Sequence, residues 1–191
     1  MDRMKIIKQL LAAALAASAL LVLSCGNPAS SDNEDNKIGG NIAFIDQPLQ
    51  GTVNGAAYVV VSGWAEDSYF EPGSYDIELY DIQPAGDLDP WSLGAYPIFD
   101  DSFKKIMITV PAVVGKYDLF WNLSTGDMQS VTLYDPAADG GEGMNYILLK
   151  GAVEILEIDT ANGILRGRLA ATNDDEVTIN GNFEIPIEPA G

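Results

Sequence analysis

The chain has 191 residues, with ten Lys and Arg against 28 Asp and Glu, one Cys and no His. Without His there is no Ser-His-Asp triad, no His-ligated zinc and no imidazole acid–base group, and one Cys allows neither an intramolecular disulfide nor a Cys-rich metal site. A net charge of −18 argues against nucleic acid as a partner, because binding it takes a basic footprint.

Positions 1–24 read as a cleaved secretory signal peptide. Arg3, Lys5 and Lys8 make a positive start, and Leu10 to Leu23 is a run of 14 residues that is apolar except for Ser18. That run is shorter than the roughly 20 residues a membrane-spanning helix needs. It ends in Val22-Leu23-Ser24-Cys25-Gly26, which resembles the lipobox of bacterial lipoproteins. In that family the peptide is cut before the Cys and the Cys receives lipid. The resemblance therefore implies lipidation of Cys25 and a place in the bacterial cell envelope. Acyl chains contribute ~0.8 kcal/mol per buried CH₂, so two or three of them anchor a protein without any transmembrane helix. Gly26 follows the Cys where an Asp would mark retention at the inner membrane, so the same resemblance points to the outer membrane.

Loss of the leader takes three of the ten basic residues and one of the 28 acidic ones, leaving a net charge of −20. Such a surface keeps a domain soluble and repels anionic head groups. Residues 25–40 then read as the lipidated Cys and a flexible linker: Gly26 to Gly40 is rich in Gly, Ser, Asn and Asp, a composition that buries too little apolar surface to order itself.

Residues 41–191 read as one antiparallel all-β domain, a sandwich or a small barrel. Short apolar and β-branched runs are broken by Gly, Pro, Asn and Asp. The predicted strands are 41–45, 56–65, 74–82, 104–110, 116–122, 129–134, 145–159 (one bent strand or two in succession), 162–171 and 177–187. Alternation of period two places Ile106, Ile108 and Val110 on one face. It does the same for Tyr117, Leu119 and Trp121, and for Phe183, Ile185 and Ile187. The last third reads as a meander, with turns at Asn162-Gly163 and at Thr172 to Glu176. Residues 83–103 carry three turn-prone stretches and no clean strand, and read as a long loop of the kind that carries function on a rigid scaffold.

Four constellations could carry chemistry. Trp64, Trp91, Tyr96 and Phe99 offer aromatic faces in or near the 86–103 loop, and aromatic rings with a few polar groups suit carbohydrate or another small ligand. Asp135, Asp139, Glu142 and Asn145 lie on a Gly-rich stretch whose oxygens could surround a Ca²⁺ ion, although the spacing is not that of an EF-hand. Glu154 with Glu157, Asp100 with Asp101, and Asp174 to Glu176 offer carboxylate pairs such as a glycosidase needs; solvated faces and turn caps account for them more simply. Arg166 and Arg168 alternate on one strand face and could pair with Glu154 or Glu184 across strands.

Gly51-Thr-Val-Asn-Gly55, Gly115-Lys-Tyr117, Gly151-Ala-Val153-Glu-Ile155, Asp159, Asn162, Gly167, Leu169 and Val177-Thr-Ile179-Asn-Gly181-Asn-Phe183 together resemble a group of uncharacterised bacterial surface lipoproteins. The resemblance spans Thr52 to Ile187. It implies an antiparallel β fold and a lipid anchor, and no activity. The sequence thus leads to a membrane-anchored, non-catalytic surface, structural or interaction module with a protein partner, or to a carbohydrate-binding or small-ligand-binding module.

Overall fold

The structure, a computed structural model, describes residues 37–83 and 103–188. They form fourteen strands: β1 (Lys37–Gly39), β2 (Gln50–Val53), β3 (Ala56–Val59), β4 (Ser62–Asp67), β5 (Ser74–Tyr80), β6 (Lys105–Pro111), β7 (Gly115–Asp118), β8 (Phe120–Asn122), β9 (Met128–Gln129), β10 (Val131–Asp135), β11 (Met144–Leu148), β12 (Lys150–Asp159), β13 (Ile164–Thr172) and β14 (Val177–Pro186). All pairings between these strands are antiparallel. A six-stranded sheet has the order β3-β2-β14-β13-β12-β7, a five-stranded sheet β11-β10-β6-β5-β4, and a small third sheet β1-β8-β9. The arrangement is a β-sandwich, and the described strands form no closed barrel.

Alternation makes the core. Tyr75, Ile77 and Leu79 on β5, Ile106, Ile108 and Val110 on β6, and Val131 and Leu133 on β10 are buried from the five-stranded side. Val153 and Ile155 on β12, Leu165 and Leu169 on β13, and Val177, Ile179, Phe183 and Ile185 on β14 meet them from the six-stranded side. Sheets that each bury one pleated face against the other give this two-layer solution. A parallel bridge between Ala65 and Ile187 joins the two sheets at one corner, where the Glu188 N–H donates to the Ala65 carbonyl at 2.8 Å.

The predicted apolar runs are present, but the chain changes sheet inside several of them. The run 56–65 breaks at Val60 and Val61. Val60 N–H donates to the Leu49 carbonyl and Val61 N–H to the Tyr80 carbonyl, so β3 lies in one sheet and β4 in the other. The run 116–122 breaks at buried Leu119, which separates β7 from β8. Leu119 faces the core, whereas Trp121, predicted to share its face, is exposed. The stretch 145–159 is two strands in two sheets. Within the second, Leu156 is an extra residue opposite the Gly167–Arg166 step. This bulge keeps Ile155 buried and lets Ile158 pack on the core.

The hairpins follow their turn residues. Asp159 accepts from Asn162 N–H at 3.1 Å and from its side-chain amide at 2.6 Å. Asn173 Oδ1 accepts from the N–H groups of Glu176 and Val177 at 3.0 and 2.8 Å. Asn54 and Gly55, with φ of 50° and 77°, close the β2–β3 hairpin. An Asn-Gly pair is the strongest short-range sign of such a turn, yet β2 is absent from the predicted strands because Gln50-Gly-Thr-Val53 is not an apolar run.

Two expectations change at the N-terminal side. Lys37–Gly39, placed in the linker, pairs with β8 as a strand. Residues 41–45, predicted as a strand, form no strand but a strap over the outer face of the six-stranded sheet. Gly40 accepts from Gly151 N–H at 2.6 Å. Asn180 Oδ1 accepts from Ile45 N–H at 2.8 Å, and Asn180 Nδ2 donates to the Ala43 carbonyl at 2.9 Å. Asn182 Nδ2 donates to Asp46 at 2.7 Å, and the Arg168 guanidinium sits 4.3 Å from the Phe44 ring centre. Side-chain amides thus do what a strand ladder would do. The strap explains why Ala152 and Ala170, which the register places on the outer face in one row with Asn180, are 1% and 0% exposed. At Gly181, φ is 143° and an added Cβ would lie 2.6 Å from the Pro48 carbonyl oxygen, so only glycine lets the Gln47–Leu49 continuation of the strap lie this close.

Candidate functional site

The outer face of the five-stranded sheet carries the most varied chemistry. Register puts Trp64 beside Glu78 and Met107, Ser62 beside Tyr80 and Lys105, and Glu66 beside Asp76 and Thr109. Tyr80, at the end of β5, is buried although its neighbour Leu79 fills the core on the opposite face. It is covered from outside: its ring centre lies 5.1 Å from that of Trp64 and 5.4 Å from that of Phe103. Ile82 completes this second, smaller apolar cluster. Tilted and edge-on aromatic pairs at these distances are favourable beyond the area they bury. The Tyr80 hydroxyl donates to the Glu78 carboxylate.

The cluster stands at the base of the segment that runs from Ile82 to Phe103. Asp81 and Lys104 close that base. Lys104 N–H donates to Asp81 Oδ1 at 3.1 Å, and Lys104 Nζ lies 3.4 Å from Asp135 Oδ1. Burial pushes the Asp81 carboxyl up from its ordinary range and the Asp135 charge adds to this, while the Lys104 N–H and ammonium pull it back. Beneath, the Tyr58 hydroxyl donates to the Leu79 carbonyl at 3.4 Å, linking the two sheets; burial, and then the Asp81 charge, raise that phenol well above its usual value. Tyr80 and Phe103 are buried, so of the three rings only half-buried Trp64, with the Glu78 carboxylate beside it, has a face that can stack on a polar ring-shaped ligand.

Of the predicted aromatic residues, Trp64 belongs to this cluster. Trp91, Tyr96 and Phe99 lie outside the described residues, as do Cys25, Asp100 and Asp101. Tyr80 and Phe103 are the members that sequence reasoning missed. Leu79 and Tyr80 are both buried, and two buried neighbours break the alternation that marks a functional outer face.

The predicted calcium ligands are not brought together as a set. Asp135 pairs with Met144 and Tyr134 with Asn145, so Asp135 lies on the core-facing side of β10 while Asn145 lies on the outer side of β11. Asp135 is buried and engaged with Lys104 and, at 3.1 Å, with Ala137 N–H. Asp139 opens a 3-10 turn, Asp139–Gly141, and Glu142 follows it on the surface. Among the described residues no three His, Cys, Asp or Glu side chains converge as metal ligands.

Of the predicted carboxylates, Glu154, Glu157 and Asp174 are paired with basic side chains. Glu154 accepts from Arg168 Nε at 2.6 Å, and Arg166 bridges Glu157 and Glu184 at 2.7 Å each, which is the cross-strand pairing the alternation of Arg166 and Arg168 suggested. Asp174 pairs with Lys150.

Two of the clefts among the described residues are large enough to note. One, of about 260 Å³, is lined by Glu71, Met107, Thr109, Met128, Gln129 and Thr132. The other, of about 540 Å³, lies between Asp67, Tyr75 and the β12–β13 turn, with Glu188 at its rim. Next to it, burial, and then the Glu188 carboxyl and the charges of Glu78 and Asp76, raise the Glu66 carboxyl above its usual range.

Compared with known proteins, the chain matches no family model, no curated protein and no solved structure.

Proposed function

We propose that the chain is a lipid-anchored module of the bacterial outer membrane whose β-sandwich is non-catalytic and acts as a surface, structural or interaction domain. One observation carries this reading: the single Cys stands at the end of an apolar run within Val22-Leu23-Ser24-Cys25. Twelve residues further on, at Lys37, a folded β domain begins. The Gly40–Asp46 strap fits a tethered domain, because it fastens the tethered end of the chain across three strands of the larger sheet. The pairing of Glu154, Glu157 and Asp174 with basic side chains fits a non-catalytic surface. Palmitate labelling in a bacterial host tests the proposal. The full chain takes up label and Cys25→Ala does not; label retained by Cys25→Ala contradicts it.

Half-buried Trp64, packed on the buried Tyr80 ring, favours a second reading, in which the same domain binds carbohydrate or another small molecule at the base of the 86–103 segment. Glycans should then quench the Trp fluorescence, with the response reduced in Trp91→Ala and Trp64→Ala. A flat response across a glycan panel removes this reading.

A further inference from the structure

The small sheet β1-β8-β9 exposes apolar side chains on one face. Register places Ile38 opposite Trp121, and Trp121 opposite Met128, so the three form one cross-strand row. They are 40%, 40% and 53% exposed. Leu123, in the β8–β9 turn, is exposed as well. The opposite face of the sheet is occupied differently: Phe120 is half-buried and the Lys37 ammonium lies 4.3 Å from its ring centre. An Ile-Trp-Met row in water is costly at about 25 cal/mol per Å² of apolar surface, and nothing in the packing of the core requires it, since Leu119 supplies the core contact of this stretch.

The position of the row in the chain says what covers it. Its first member, Ile38, lies on β1, the strand that the N-terminal tether enters. Cys25 and Lys37 are twelve residues apart, a span that even fully extended reaches only ~40 Å. A lipid on Cys25 therefore keeps the point where the chain enters this sheet within that reach of the bilayer, and β1 is the first strand of the domain along the tether. Trp prefers the membrane–water interface, where its apolar ring and polar N–H are both satisfied, and Ile and Met bury in the same zone. We infer that the Ile38–Trp121–Met128 row is the face that the anchored domain lays on the bilayer, with a zwitterionic lipid surface as its occupant. The acidic remainder of the domain disfavours anionic head groups, which leaves apolar contact as the attraction and gives the domain one orientation, with the row inward.

This inference rests on the lipid-anchored reading, and one experiment separates the two. The full chain is expressed in a bacterial host, and the membrane-borne protein is reconstituted into vesicles of phosphatidylethanolamine and acyl-chain-brominated phosphatidylcholine. Fluorescence is compared with that of Trp121→Phe, and the Cys25 peptide is checked for acyl groups. Acylated Cys25, with bromolipid quenching of the emission component that Trp121→Phe removes, is the expected result. Met128→Ser, at an exposed position that leaves the fold intact, reduces that quenching at least about two-fold. Acylated Cys25 with an unquenched Trp121 component overturns the docking face and leaves the anchor standing. An unmodified Cys25 overturns the anchor and the docking face with it. A photo-crosslinker at position 121 that captures protein in place of lipid also overturns the inference, in favour of a protein partner.

Discussion

Asn180 holds both sides of Phe44: its Oδ1 accepts from the Ile45 N–H at 2.8 Å and its Nδ2 donates to the Ala43 carbonyl at 2.9 Å. One outward-facing amide on β14 thereby replaces two rungs of a strand ladder and fixes the strap by which the N-terminal side of the domain is fastened. Asn180 is itself buried, so truncating it leaves two backbone groups of the strap without partners. Asn180→Ala should lower the free energy of unfolding by about 1–3 kcal/mol, measured by denaturant titration. Hydrogen exchange should accelerate at Ile45 in particular. Unchanged exchange at Ile45 would mean that the strap is held by other contacts.

The aromatic cluster around Tyr80 should contribute to stability. Tyr80 is buried between Trp64 and Phe103. Tyr80→Ala should therefore cost about 3–5 kcal/mol, the range for removing a large buried ring, whereas Tyr80→Phe keeps the ring, loses the hydroxyl bond to Glu78 and should cost about 1 kcal/mol. Thermal melts of the two variants check this ordering.

Glu66 should make the fold sensitive to pH. Burial comes first, and then the Glu188 carboxyl and the charges of Glu78 and Asp76 hold its carboxyl above the ordinary value of 4.5; Asp76 lies directly opposite on β5, an unfavourable place for a like charge. A carboxyl raised in the folded state binds its proton more tightly there than in the unfolded chain. Its favourable contribution is thus fully present below the unfolded value and is lost as pH rises through the folded one. Glu66→Gln should raise the melting temperature at neutral pH and leave it unchanged in acid below about pH 4. A melting temperature unchanged at neutral pH would show that the carboxyl group is not crowded there.

The strands were legible in the sequence because Ile106, Ile108 and Val110, or Phe183 and Ile185, alternate cleanly against polar neighbours, and burial follows that alternation. What alternation does not encode is the sheet to which a strand belongs. Val60 and Val61 look like the middle of one run, yet the chain passes there from β3 of the six-stranded sheet to β4 of the five-stranded one. Leu119 likewise divides a run whose far half joins the small third sheet. Nor does alternation reveal a polar residue that ties the chain together. Asn180 occupies an outward position and reads as solvated, and only the folded strap shows why it is buried. Trp64 was recognisable as a candidate because Trp near a loop is conspicuous. Tyr80 was not, because its burial depends on Phe103, 23 positions away in the chain. Asp135 and Asn145 are close in sequence and looked like co-ligands, but the register of β10 with β11 turns them to opposite faces.

Gly181 gives a sharper test of the strap geometry than any side-chain truncation. Its φ of 143° and the closeness of the Pro48 and Gln47 carbonyl oxygens to where a Cβ would stand mean that Gly181→Ala adds backbone strain and a clash together. The loss should exceed about 1 kcal/mol, although the change adds a single methyl group. Chemical denaturation of the variant measures it. A neutral result would place the strap further from β14 than these contacts require.

Whether the β-sandwich is tethered through Cys25 is read from the mass of the N-terminal peptide of the protein recovered from bacterial membranes. The expected peptide begins at Cys25 and carries two or three acyl chains, with the protein released to the soluble fraction in Cys25→Ala. A membrane-bound or secreted chain whose Cys25 is an internal, unmodified residue would contradict it.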